Sequence, residues 1–190
     1  MKGSRESSGY FKPGIFVDNT EATSTFSHIV VEGLYGISAN SGNVVIENST
    51  FSDNDYGVVL FNGSTAEITN TEFSRTKREA LSAYDGSVLS VASSTITDVF
   101  NSEAIEVYDG SVLTVATTTI SNVFWGDGID VFDSTVSLNN VTIENIKNGE
   151  GVGLYNSTTT ISNTTVAHGE KGEAIIIFGG STTITDSTIS

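Results

Sequence analysis

Carboxylates recur along this chain at a fixed place. Glu79, Glu103, Asp127, Glu150 and Glu173 each stand directly before a small residue, at spacings of 24, 24, 23 and 23. Glu106 and Asp130 each follow one of them by three residues, and Asp85, Asp109 and Asp133 come shortly after. Carboxylates held side by side repel unless a cation, a proton or hydrogen bonds relieve them. Calcium, a hard ion with oxygen ligands, suits such a cluster, and Glu103, Glu106, Asp127 and Asp130 are the candidate set. A solvated acidic edge is the plainer alternative. Aromatic residues share the period. Phe61, Tyr84, Tyr108, Phe132, Tyr155 and Phe178 fall at equivalent places in six consecutive units. Such a stripe is a candidate ligand strip, since sugar rings pack on aromatic faces and exposed apolar patches mark binding sites. Its alternative is a ladder that stabilises the stack.

The elements that position these residues form a repeat. A small residue followed by an aliphatic marks each unit: Gly14-Ile15, Gly36-Ile37, Gly57-Val58, Ala80-Leu81, Ala104-Ile105, Gly128-Ile129, Gly151-Val152 and Ala174-Ile175. Residues 79–100 and 103–124 match at fourteen of twenty-two positions. Within a unit, apolar residues alternate with period two, which predicts short strands joined by turns. Val, Ile, Thr and Ser dominate, as suits strands. Three inward columns are expected. One runs Val17, Ala39, Leu60, Ala83, Val107, Val131, Leu154, Ile177; the others centre on Ile68, Val91 and Val115 and on Phe73, Ile96 and Ile120. Leu113 is left outside this pattern. Stacked in register, such units form an all-β parallel solenoid of about eight coils, each rising about 4.8 Å. Asn48, Asn70, Asn140 and Asn163 then sit at a turn, where stacked amides bond neighbours and backbone.

The chain of 190 residues carries 8 Lys and Arg against 23 Asp and Glu, a net charge of −15. That balance repels nucleic acid and anionic membranes. There is no cysteine, so disulfides and thiolate chemistry are excluded. No apolar run reaches membrane-spanning length, so no membrane insertion is expected. Residues 1–13 show no apolar signal region and are expected to be a disordered lead-in or an expression scar. Residues 14–190 are expected to form the solenoid, as an excerpt of a longer chain.

The stretch YGISANSGNVVIENSTFSDN (35–54) and its echoes VSLNNVTIENI and TTISNTTV resemble right-handed parallel β-helix repeats of the pectin-lyase-like superfamily. The resemblance covers Gly14–Ser190 and implies the handedness. It is specific for fold and unspecific for activity. WGDGIDVFDS (125–134) contains Asp-Gly-Ile-Asp, which resembles the first catalytic motif of polygalacturonase-type glycoside hydrolases. Their next motif, Gly-Asp-Asp, is met by Gly149-Glu150-Gly151, with one acid lost. Their Gly-His-Gly and Arg-x-Lys motifs have no counterpart, and His168 lies in a different column. If that resemblance extends to chemistry, Asp127, Asp130 and Glu150 are the catalytic residues, with Asp127 and Glu150 as acid–base pair.

The leading expectation is a non-enzymatic solenoid, extracellular or displayed on a bacterial surface. It would act as a rigid stalk or adhesive module and grip a polysaccharide along the stripe. The alternative is a polysaccharide hydrolase or lyase. An ice-binding face built from Thr95-Ile-Thr97, Thr119-Ile-Ser121 and Thr188-Ile-Ser190 is a minor alternative, broken by Glu72, Glu144 and Ala167. No cofactor other than calcium is expected. Flanking domains or end-to-end copies are expected to cap the ends.

Overall fold

A computed structural model describes residues 13–18, 22–167 and 169–190. The expected lead-in, apart from Pro13, lies outside the described residues, as does His168. The described residues form 24 strands and no helix. The strands fall into three parallel sheets of eight, and each sheet takes every third strand in chain order. One coil shows the plan: Ile105–Val107 lies in the first sheet, Val112–Ala116 in the second and Thr119–Val123 in the third. The protein is therefore an all-β parallel solenoid.

The first column pairs in the expected register, from Val17 through Ala39, Leu60, Ala83, Val107, Val131 and Leu154 to Ile177. Phe51, Phe73, Ile96, Ile120, Ile143 and Val166 are fully buried in the third sheet. Burying one such side chain stabilises by roughly 1.5–3 kcal/mol, which lets a thin core hold each coil.

Two details depart from simple alternation. Leu113 points inward and is fully buried, in register with Leu89 and Val136. The second-sheet strands around it thus bury two side chains each. In the third sheet Ile120 and Val123 both face the core although they are three apart. Asn122, with φ of 58°, stands between them and turns the strand over. Asp98 and Asn145 do the same in neighbouring coils, with φ near 57°.

Left-handed residues also form columns at the corners. Asn48, Asn70, Ser93, Thr117, Asn140, Asn163 and Asp186 lie at φ between 46° and 56°. A second column contains Asn62, Asp85, Asp109, Asp133 and Asn156. Asn and Asp tolerate this conformation because a short polar side chain bonds locally. The acids Asp85, Asp109 and Asp133 therefore have a backbone role. Amide contacts join successive corners: the Asn70 amide donates to Asn48 Oδ1 at 2.6 Å.

Serines tie the turn after the first sheet to the next coil. The Ser87 N–H donates to Ser111 Oγ at 3.1 Å, while the Ser87 hydroxyl donates to the Tyr84 carbonyl at 2.6 Å. Ser134 and Ser157 repeat the contact at 3.2 Å. These buried bonds fix the corner that carries the aromatic column.

Candidate functional site

The outward column of the first sheet runs Phe16, Ser38, Val59, Ser82, Glu106, Asp130, Gly153, Ile176. Side chains on an outward strand face ordinarily meet water. Here Val59, Ser82 and Asp130 are 2%, 0% and 9% exposed. Two walls cover them. Phe61, Tyr84, Tyr108, Phe132, Tyr155 and Phe178 follow the column on one side. The turn residues Glu79, Glu103, Asp127 and Glu150 precede it on the other. The aromatic and acidic lines thus run as two ridges along the solenoid axis, and the column is covered between them.

The aromatic wall is continuous. Successive ring centroids lie 5.3, 6.0, 4.6, 4.3 and 5.6 Å apart from Phe61 to Phe178. The planes of Phe132 and Tyr155 are 6° apart. The ring faces are turned toward one another, so the stripe offers ring edges and tyrosine hydroxyls.

The acidic wall and the column form two clusters. Carboxylate oxygens of Glu79, Glu103 and Glu106 lie within 4.8 Å of one another. Ser102 Oγ stands 2.5 Å from Glu79 Oε1 and 2.8 Å from Glu103 Oε2. A hydroxyl has one proton to give, so it donates to one of the two carboxylates at a time. The Tyr84 hydroxyl donates to Glu106 Oε2. Burial pushes the Glu106 carboxyl up to about 7, against the Tyr84 bond and with the help of Glu79, Glu103 and Asp130.

The second cluster lies one coil on. Asp127 Oδ1 accepts the backbone N–H of Glu150 at 2.8 Å. Burial, first, and then the Glu150 carboxyl push Asp127 well above the usual carboxylate range. Asp130 is pushed up to about 6, chiefly by burial and then by the Glu103 charge. Burial also raises the Tyr84 and Tyr108 phenols, which keeps them donors.

The structure therefore divides the candidate calcium set. Glu103 and Glu106 meet with Glu79 as third member. Asp127 and Asp130 instead gather around Gly153, with Glu150 beside Asp127. The three candidate catalytic residues, Asp127, Asp130 and Glu150, share one stretch of this surface. The column and wall positions named above hold no Lys or Arg.

Other features escaped the sequence reading. Phe100 and Phe124 stack at 5.3 Å, and Lys147 Nζ sits 4.7 Å from the Phe124 ring centre. The signal was present, since both phenylalanines end their near-identical units. Tyr35 and Tyr56 make a ring contact at 4.8 Å, with Arg78 over Tyr56. On the third sheet, Thr95, Thr119, Thr142, Thr165 and Thr188 stand in register. Glu144 interrupts the neighbouring column beside Ser121.

Comparison with known proteins bears on the fold. The family described as "Right handed beta helix region" matches residues 7–134 and again 103–190. No curated protein matches the chain. Among solved structures, a mutant of the periplasmic alginate epimerase AlgG aligns with a TM-score of 0.52 and 13% identity. A double mutant of that epimerase aligns with a TM-score of 0.46 and 12% identity. Each alignment covers 92% of this chain and 61% of the epimerase chain, so this chain spans less than two thirds of its neighbour.

Proposed function

The chain belongs to the right handed beta helix family, and from that premise we propose that it is a non-enzymatic glycan-gripping solenoid, working outside the cell or at its surface. The polysaccharide lies lengthwise along the first sheet. One observation carries this reading: a continuous line of aromatic rings from Phe61 to Phe178 runs along the solenoid axis beside a parallel line of carboxyls. A surface with that direction fits a linear polymer. Tyrosine hydroxyls and carboxylates along it suit sugar hydroxyls, which both donate and accept.

The test is a glycan-binding screen with the parent and with Tyr108→Ala combined with Phe132→Ala. The double variant should weaken binding of whatever glycan the parent holds. Unchanged binding to all of them would remove the aromatic line from consideration.

A second reading is favoured by one contact. The Asp127 carboxyl holds its proton above the usual carboxylate range beside Glu150, as a general acid must. Depolymerisation of a polysaccharide by the parent, lost in both Asp127→Asn and Glu150→Gln, would replace the binding reading with a carbohydrate-active enzyme.

A further inference from the structure

We propose that Trp125 is a stacking platform for a pyranose ring, so that the protein selects neutral, β-linked hexose chains. This rests on the glycan-binding reading and names both the class of glycan and the residue that takes its ring face. Trp125 precedes Asp127 in the corner before the first sheet, and Phe132 follows at the far end of the strand. The acidic line therefore runs between Trp125 and the aromatic ladder, and a glycan lying along that line meets the indole on its outer side.

The ladder turns its ring faces on one another, so it has edges to offer a sugar and few faces. Trp125 differs. It is the chain's single tryptophan and is 66% exposed. Its corner repeats from coil to coil. Phe124 stacks on Phe100 and Gly126 packs on the Ser102 backbone, so Trp125 occupies the place of Asn101. Lys147 lies over Phe124 and Gly149 packs on the Gly126 carbonyl, so Asn148 takes that place in the next coil. Both asparagines serve the fold. Asn101 Nδ2 donates to the Lys77 carbonyl at 3.4 Å, and Asn148 Nδ2 donates to the Phe124 carbonyl at 2.8 Å. Among the described residues Trp125 makes no such tie. The corner thus forgoes a bond worth about 0.5–1.5 kcal/mol and leaves an apolar face in water, between two coils that show the structural alternative.

The surroundings choose the occupant. An indole face is electron-rich, and it attracts the C–H bonds that a β-linked hexopyranose turns outward from both faces of its ring. The rim of the platform is polar. Asn101 and Asn148 flank Trp125 on the neighbouring coils, and half-buried Glu103 and Glu150 follow those asparagines by two residues. Amides and carboxyls around one apolar face match sugar hydroxyls, which donate and accept. A protein partner fits less well. An aromatic side chain buries about 150–250 Å², whereas a stable protein interface needs about 800 Å² on each side. The nearest further ring surface is limited, since Phe100 is 38% exposed and Phe124 lies between Phe100 and Lys147. The apolar area is on the scale of a sugar ring or two. Anionic chains are disfavoured by the carboxyl line and by the net charge of −15.

The experiment titrates cellohexaose into the protein and follows both heat and tryptophan emission. Trp125 is the only indole, so the emission reports on this site. The parent should release or absorb heat on binding and shift its emission to shorter wavelength as the ring is covered. Trp125→Asn installs the residue of the neighbouring coils, so it should keep or raise the melting temperature. It should weaken binding at least about tenfold, a difference of about 1.4 kcal/mol. Trp125→Phe, which keeps a smaller ring face, should fall between the two. Equal calorimetric affinities of the parent and Trp125→Asn would overturn the inference and leave the glycan-binding reading standing. Binding by the parent with no change in emission would do the same. No binding of cellohexaose by the parent would overturn the inference, and the glycan screen with the Tyr108 and Phe132 variant then judges the wider reading separately. Tighter binding of a hexamer of galacturonate than of cellohexaose would overturn the neutral class. Self-association of the parent that Trp125→Asn abolishes, without sugar binding, would assign the indole to a second copy and overturn the inference as well.

Discussion

Glu106 and Asp130 are direct cross-strand partners on adjacent coils of the first sheet, two carboxyls held at strand spacing between the two ridges. Nothing in strand pairing relieves them. Burial raises both, Glu106 to about 7 and Asp130 to about 6.

The pH dependence follows from that relationship. Both folded pKa values lie above the unfolded ones, so the stabilisation is fully present below the unfolded values near about 4. It is lost as pH rises from there through about 6 and about 7. The melting temperature should fall by a few degrees between about pH 5 and about pH 8. Glu106→Gln should flatten the upper part of that slope. Thermal melts followed by circular dichroism check this, and a rising melting temperature over that window would contradict it.

Core truncation gives the second prediction. Ile120 is fully buried between Ile96 and Ile143. Ile120→Ala should cost about 2–5 kcal/mol, from lost burial and a cavity. Thr119→Ala, on the outward face of the same strand, should stay within about 0.5 kcal/mol. Equilibrium urea unfolding reads both.

The aromatic wall can be separated from the core by a double-mutant cycle. Phe132 stacks on Tyr108 at 4.6 Å and on Tyr155 at 4.3 Å. Each ring pair is worth about 0.5–1.5 kcal/mol beyond area burial. Phe132→Leu with Tyr155→Leu should show a coupling energy in that range. A coupling near zero would mean that the rings are neighbours without being a ladder.

Thr117 is a misfit in its column. It sits at φ 50° where Asn140 and Asn163 occupy the same corner of later coils. A β-branched residue pays a steric cost in that conformation. Thr117→Asn should therefore stabilise, by about 0.5–1 kcal/mol, whereas Asn140→Val should destabilise by about 1–2 kcal/mol. Paired melts of the two variants give both signs.

Much of this molecule was legible because stacked coils must repeat. Ile96, Ile120 and Ile143 declare themselves by recurring at the repeat period, and so do Tyr84 and Tyr108. A residue that lies directly on its equivalent has the same neighbours, so composition, period and alternation define the columns, the parallel solenoid and the presence of an aromatic and an acidic line. The asparagine corner was legible for the same reason.

Alternation states which way a side chain leaves the strand, and nothing in it states what then covers that side chain. Ser82 and Asp130 leave outward and are buried all the same, because the corners on either side of them rise as walls. Asn122 reverses a strand through one left-handed residue, so Val123 returns to the core against the period. The gathering of Glu79 with Glu103 and Glu106, and of Asp127 and Asp130 around Gly153, depends on the path of the turns between coils. Spacing along the chain placed those carboxyls in columns. Only the packing of one coil against the next decided which of them meet and which are desolvated.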